Sequence, residues 1–226
     1  VIDADPGAAD RGSIIHNAID RFLGKVVGDL PPDALDILLR IGAEEFSPWL
    51  DRPGIRAFWW PRFERIAEWI VAREAERSPD VVRRFTEIEG LLELTDRARP
   101  FRLRVRADRI DLLSGGGYEV IDYKTGAPPS ATDISLGFAP QLPLEAAIAQ
   151  AGGFSDTAAA EVTLLEFWRL SGGDPAGERK PAGMDIDTLA QAALLGLTEL
   201  VTQYDDPNTP YLSQPDPSHA PAWSDY

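Results

Sequence analysis

The chain has 226 residues, room for one large domain or two small ones, and its 44% hydrophobic content can build a core. It has no cysteine, which excludes disulfides, thiolate zinc sites, cysteine nucleophiles and cysteine-ligated iron–sulfur clusters within these residues, and accords with a reducing cytoplasm. The net charge of −15 excludes a chain that attracts nucleic acid as a whole, so such a role needs a local basic patch, metal ions or a partner.

No apolar run approaches the roughly 20 residues of a membrane span, and no signal peptide is recognisable at the head. The first residue is Val rather than Met, which suggests a segment of a longer protein. From Gly12 to about Val27, Ile14, Ile15, Ala18, Ile19, Phe22, Leu23 and Val26 recur at helical spacing, with Asp10 placed to cap the start. Pro31-Pro32 breaks the chain before a second helix over Asp33 to Ala43. A third follows Asp51-Arg52-Pro53-Gly54, with Phe63, Ile66, Trp69 and Ile70 on its buried side and Pro61 as a kink or restart. Phe58, Trp59 and Trp60 beside it are expected in the core, with docking to another body as the alternative.

After Ser78-Pro79 the pattern changes to strands. Val82 to Leu94 is the first, and Phe101 to Leu113 the second. In the second, Phe101, Leu103, Val105 and Ala107 alternate with Arg102, Arg104 and Arg106. Gly115-Gly116-Gly117 makes a turn into a third strand, Tyr118 to Lys124, completing an antiparallel meander. Gln141 to Ala151 reads as a helix, Glu161 to Leu170 as a strand, Ser171 to Gly183 as a loop, and Asp185 to about Tyr204 as a long helix capped by Asp185 or Asp187. The order predicts one α/β domain over 1–204, with a helical N-terminal flank (1–80) and a mixed β-sheet core (81–204). An extended arm, 205–226, follows.

The stretch YEVIDYKTG, residues 118–126, carries the chemistry. On a strand, Asp122 and Lys124 share a face, roughly 6–7 Å apart. An antiparallel partner joined through the glycine turn is expected to bring Asp111 beside Asp122. Two such carboxylates repel unless a cation lies between them, and a hard divalent ion, usually Mg²⁺, fills that role through oxygen ligands. Lys124 would then orient a water and stabilise developing charge. Alone, an Asp-x-Lys is short and common and reads equally as a structural pair at a strand end.

Further pieces accompany it. Gly12-Ser13-Ile14-Ile15-His16, Asp108-Arg109-Ile110-Asp111, Ile121-Asp122-Tyr123-Lys124-Thr125-Gly126 and Gln141-Leu142-Pro143-Leu144 stand in the order G-x-x-x-H, D-R-I-D, I-D-Y-K-T-G, Q-x-x-x-Y. On these the chain resembles the PD-(D/E)XK nuclease superfamily, in its RecB-like branch, and most of all the C-terminal nuclease domains of AddB-type subunits of AddAB helicase–nucleases. The resemblance implies a restriction-endonuclease-like fold and a Mg²⁺- or Mn²⁺-dependent deoxyribonuclease of the exonuclease type, acting on single-stranded DNA in double-strand break repair beside an AddA-type subunit. It implies His16, Asp111, Asp122 and the Tyr123 backbone carbonyl as metal ligands, Lys124 as the catalytic lysine, and Gln141 beside them. A retained but catalytically silent module is the alternative.

Four subsidiary expectations follow. Asp108 competes with Asp111 for the metal, but it shares its strand face with the arginines and is expected to lie behind the ligands or pair with Arg106 or Arg109. Glu145 stands where the resemblance would place a tyrosine, and is expected to face solvent. Arg102, Arg104 and Arg106, with Arg97 and Arg99, form a basic stripe that reads as a solvated face or as a track for a DNA backbone. His219, in the polar arm, is expected to be incidental.

Overall fold

The computed structural model describes residues 7–26, 28–49, 51–95, 99–183 and 185–212. Three helices come first: α1 (Ala8–Leu23), α2 (Ala34–Phe46) and α3 (Trp60–Arg77). Strands β1 (Val81–Leu94), β2 (Phe101–Leu113) and β3 (Tyr118–Lys124) follow, then helices α4 (Ala131–Ser135) and α5 (Gln141–Gln150). Strands β4 (Val162–Leu170) and β5 (Gly177–Pro181) and helix α6 (Ile186–Asp205) complete the order. The sheet runs β1-β2-β3-β4-β5. β1, β2 and β3 form the predicted antiparallel meander; β4 joins β3 in parallel through the α5 crossover, so the sheet is mixed.

The alternation of β3 explains the layering. Ile121 and Tyr123 pack with Trp168 and Leu170 against α1, α2 and α3. Val120 packs with Ile110, Leu165 and Phe167 against α5. Successive side chains of a strand point to opposite faces, so Asp122 shares the α5 side with Val120. Helices cover both faces, as an α/β architecture requires.

Local signals account for most boundaries. α1 begins at Ala8, earlier than expected. Asp10 does not precede the helix but sits in its first turn, where its Oδ2 accepts from the Gly7 N–H at 2.7 Å. A wide helical turn over Ile55–Trp59 leads into α3, with Pro61 tolerated in the first turn. That turn buries Ile55 but leaves Phe58 70% exposed, so Phe58 is not core; Trp59 and Trp60 pack half-buried against it. Of the two expected caps, Asp185 serves α6, accepting from the Thr188 N–H at 3.0 Å, and Asp187 lies in the first turn.

The stretch expected to be a loop over 171–183 contains β5, paired antiparallel with β4 from Leu170↔Gly177 to Glu166↔Pro181. Its sequence, GERKP, lacks apolar alternation because it is a largely exposed edge strand. The arm expected over 205–226 is described only to Leu212, where Tyr211 stacks on Tyr204 with ring centroids 4.8 Å apart. Its remainder, with His219, lies outside the described residues, as does Arg97.

Candidate active site

β2 and β3 pair only as far as Arg109↔Ile121. Beyond that point β2 continues along β1 and β3 along β4. One step past the last pair, Asp108 and Asp122 face each other across the fork. The Tyr123 N–H, freed from the ladder there, donates to Asp108 Oδ2 at 2.8 Å.

Lys124 closes on Asp122 from two residues along the same strand face. Its Nζ lies 2.8 Å from Oδ1 and 2.6 Å from Oδ2. Only the first contact has hydrogen-bond geometry, so Oδ2 is a buried oxygen with no hydrogen-bond partner among the described residues. Gln141, the first residue of α5, donates from Nε2 to Asp122 Oδ1 at 2.7 Å, and its Oε1 accepts from Lys124 Nζ at 3.5 Å. His16 enters from α1, with Nδ1 3.6 Å from Asp108 Oδ2 and its ring edge-on to Tyr123 at 5.7 Å. Gly12, one turn earlier, lets α1 approach the end of β3: a Cβ there would lie 3.4 Å from Thr125 Oγ1, tight but not prohibitive. Glu87, on β1, completes the surroundings. One ligand atom each from His16, Glu87 and Asp108 lie within 4.8 Å of one another.

Asp111 is elsewhere. The register pairs it with Glu119, not Asp122. Its fully buried carboxylate binds Arg109 Nε and Nη2 at 2.8 and 2.7 Å and Arg77 Nη2 at 2.8 Å. Arg109 also grips Glu74 of α3 at 2.5 and 2.9 Å and lies over the Trp168 ring. The D-R-I-D segment is therefore split by strand parity. Asp108 turns to the fork, while Arg109 and Asp111 form a buried ionic lock between sheet and α3. The expected pairing of Asp108 with Arg106 or Arg109 is likewise replaced: Arg106 pairs with Glu87 at 2.8 Å.

The electrostatics follow the burial. Desolvation pushes the Asp122 carboxyl up to about 6, the nearby Asp108 charge adds to this, and Lys124 opposes it. Burial alone would raise Asp108, but the facing His16 imidazole and the Tyr123 N–H hold it below the usual carboxylate range. His16 loses by burial yet is raised overall by Asp108. The Glu145 side chain does not face solvent. It is 1% exposed, accepts from Gln141 Nε2 at 3.1 Å, and burial pushes its carboxyl up to about 8.

This donor set fits a hard divalent cation. It offers carboxylate oxygens and one imidazole nitrogen, one buried carboxylate oxygen without a hydrogen bond, and an excess of negative charge that ionises reluctantly without a cation. Residues 2–216 match the PD-(D/E)XK nuclease superfamily. The chain belongs to that superfamily. The mixed sheet with flanking helices agrees with its restriction-endonuclease-like fold, whose members generally use Mg²⁺ or Mn²⁺. Similar chains include an uncharacterized protein of Rickettsia bellii (strain RML369-C), 24% identical over 151 residues, covering 67% of this chain and 18% of the relative. Uncharacterized proteins of Rickettsia conorii (strain ATCC VR-613 / Malish 7) and Rickettsia typhi (strain ATCC VR-144 / Wilmington) are each 23% identical over 67% of this chain. The chain spans 18% of the length of these relatives. No helix among the described residues is long and apolar enough to cross a membrane.

Glu87 escaped the sequence reading, and Asp108, Asp111 and Glu145 lie elsewhere than expected. Asp108 was legible in principle, since extending the register back from the glycine turn sets it opposite Asp122. Glu145 was hinted at by its position in an otherwise apolar helix, LPLEAAIA, which is buried nearly all round. Glu87 gave no local signal, because it reaches the site through the β1–β2 pairing and a left-handed backbone conformation (φ 49°).

Proposed function

We propose that this chain is the nuclease segment of a larger helicase–nuclease of the AddAB kind. In this reading it hydrolyses phosphodiester bonds of single-stranded DNA, as an exonuclease, during double-strand break repair. The observation that carries the chemistry is the fork: buried Asp122 with Lys124 on it, and Asp108 and His16 across the gap.

His16, Asp108 and Asp122, with the Tyr123 carbonyl, are the residues that would hold Mg²⁺ or Mn²⁺, and Glu87 stands within their reach. A divalent ion held there would supply Lewis-acid chemistry, polarising the scissile phosphate and lowering the pKa of a water. Lys124 is held by Asp122 and Gln141, so its ammonium presents a fixed donor to a water and to the charge that develops on phosphate oxygens. Arg102, Arg104 and Arg106 are exposed and lie on the strand face that leads to Asp108, which supports their reading as contacts for a DNA backbone. Arg102 and Arg106 each also pair with a glutamate, Glu93 and Glu87, so the stripe is only partly free charge. A net charge of −15 gives little long-range attraction for DNA, which supports delivery of the strand by an AddA-type partner. The short span of the chain relative to its matches supports its being one part of a larger protein.

The test is cleavage of end-labelled single-stranded DNA with Mg²⁺, Mn²⁺ or EDTA, beside Lys124→Ala and Asp122→Ala. Metal-dependent cutting by the wild type, lost in both variants, is expected. An inactive wild type that also shows no calorimetric metal binding would overturn the reading in favour of a silent nuclease-like module.

A further inference from the structure

Gln141 is exposed at the first turn of α5, a position from which a long amide side chain ordinarily swings into water. Its two ends are almost isosteric, so its orientation depends on its partners. Nε2 serves two acceptors at once, Asp122 Oδ1 at 2.7 Å and Glu145 Oε1 at 3.1 Å, which uses both of its hydrogens. Oε1 is thereby left facing Lys124, a pure donor. Glu145 lies one helical turn below Gln141, on the same face. It is 1% exposed, and its Oε2 has no hydrogen-bond partner among the described residues. Its neighbours on α5 are apolar and buried. An apolar side chain would suit that surrounding better than a carboxylate. What the carboxylate does there is hold Gln141.

We propose that Glu145 is a positioning residue: it pins the Gln141 carboxamide with its NH₂ on Asp122 and its carbonyl toward Lys124, and so holds the lysine in place for hydrolysis. The proposal rests on the nuclease reading for its kinetic consequence but not for its geometric one. Without Glu145, Gln141 keeps one anchor instead of two and is released toward solvent. Lys124 and Asp122 then each lose their contact with Gln141 but keep each other, while Asp108 and His16 keep their partners. The chemical step slows, and metal affinity falls less, because Asp122 keeps its place on the strand and its contact with Lys124. Lost outer partners of this kind cost about 10–100-fold in metal affinity or activity.

Three measurements test this on the full chain. In nitrogen-15 NMR, the Gln141 side-chain NH₂ pair, identified by its disappearance in Gln141→Leu, is expected to be shifted and slow to exchange in the wild type and to collapse to ordinary solvent-exposed positions in Glu145→Leu. In Mn²⁺-supported cleavage, kcat of Glu145→Leu is expected to fall about 10–100-fold with KM unchanged and calorimetric Mn²⁺ affinity lowered by much less than kcat, and Glu145→Gln is expected to recover most of that loss. Thermal unfolding of Glu145→Leu at or above the wild-type midpoint separates lost positioning from lost folding. A Gln141 amide signal that is identical in wild type and Glu145→Leu overturns the proposal, as does wild-type kcat in Glu145→Leu. A wild type that cuts no DNA sinks the nuclease reading alone, and the amide signal still decides the role of Glu145.

Discussion

Removing the Asp108 carboxylate and removing that of Asp111 should leave opposite signatures, although the two stand three residues apart. Asp108→Asn takes a charge from the fork beside a half-exposed histidine. Cleavage should be abolished and Mn²⁺ affinity lowered, with a urea midpoint close to that of the wild type. Asp111→Asn leaves Arg77 and Arg109 buried with one carboxylate fewer. Breaking a buried pair from one side costs about 3–5 kcal/mol, so its urea midpoint should fall sharply while the remaining folded protein still binds Mn²⁺. Parallel denaturation and calorimetry would refute this if Asp111→Asn lost metal binding without losing stability. Glu145 gives a second residue-scale prediction, in its pH dependence. Its carboxyl is raised from 4.5 to about 8 in the folded protein. Such a group stabilises fully below its unfolded value, and that contribution is lost as pH rises through the folded value. In EDTA, the wild-type melting midpoint should therefore decline between about pH 4.5 and 8 more steeply than that of Glu145→Leu. Equal slopes in thermal melts across that window would show that Glu145 is not buried as a neutral acid.

At the scale of elements, the helical flank depends on one close approach. A Cβ at Gly42 of α2 would lie 1.9 Å from Cε1 of Phe63 on α3, a ring that is itself fully buried. Neither helix can yield without disturbing Phe46 and Trp60, which also pack around Phe63. Overpacking of this kind costs about 1–3 kcal/mol, so Gly42→Ala should lower the unfolding free energy by that amount and move the urea midpoint down. An unchanged urea curve would mean that the α2–α3 contact is looser than it stands here. Five helix and strand signals of the flank and meander were legible because their apolar spacing is local. Helical recurrence marked α1, α2 and α3, and strand alternation with a glycine turn marked β2 and β3. β5 was not legible, because an exposed edge strand needs no apolar alternation. Nor was α4, a single turn held by the reciprocal Ser130–Asp133 cap.

For the whole molecule the governing quantity is charge. A body at −15 with one arginine stripe should bind single-stranded DNA weakly and with a shallow salt dependence. Replacing Arg102, Arg104 and Arg106 together by alanine should weaken binding across sequences. It should also reduce the slope of log affinity against log salt by about 0.7 for each phosphate contact removed. Fluorescence anisotropy titrations from low to moderate salt would measure this; an unchanged slope would mean that the stripe is only a solvated face paired with Glu93 and Glu87.

By itself the sequence determined the helical flank, the meander, the absence of thiol chemistry and the concentration of motif residues at His16, Asp108 to Asp111, Asp122 to Lys124 and Gln141. These depend on composition, spacing and turn residues, which act over a few neighbours. Only the tertiary structure decided that Asp108 rather than Asp111 faces Asp122, that Asp111 instead locks α3 to the sheet, and that Glu145 points inward to Gln141. Strand register past a fork and the docking of α5 on the sheet are settled by packing between residues far apart in the chain, and a shift of one residue in register turns a side chain to the other face.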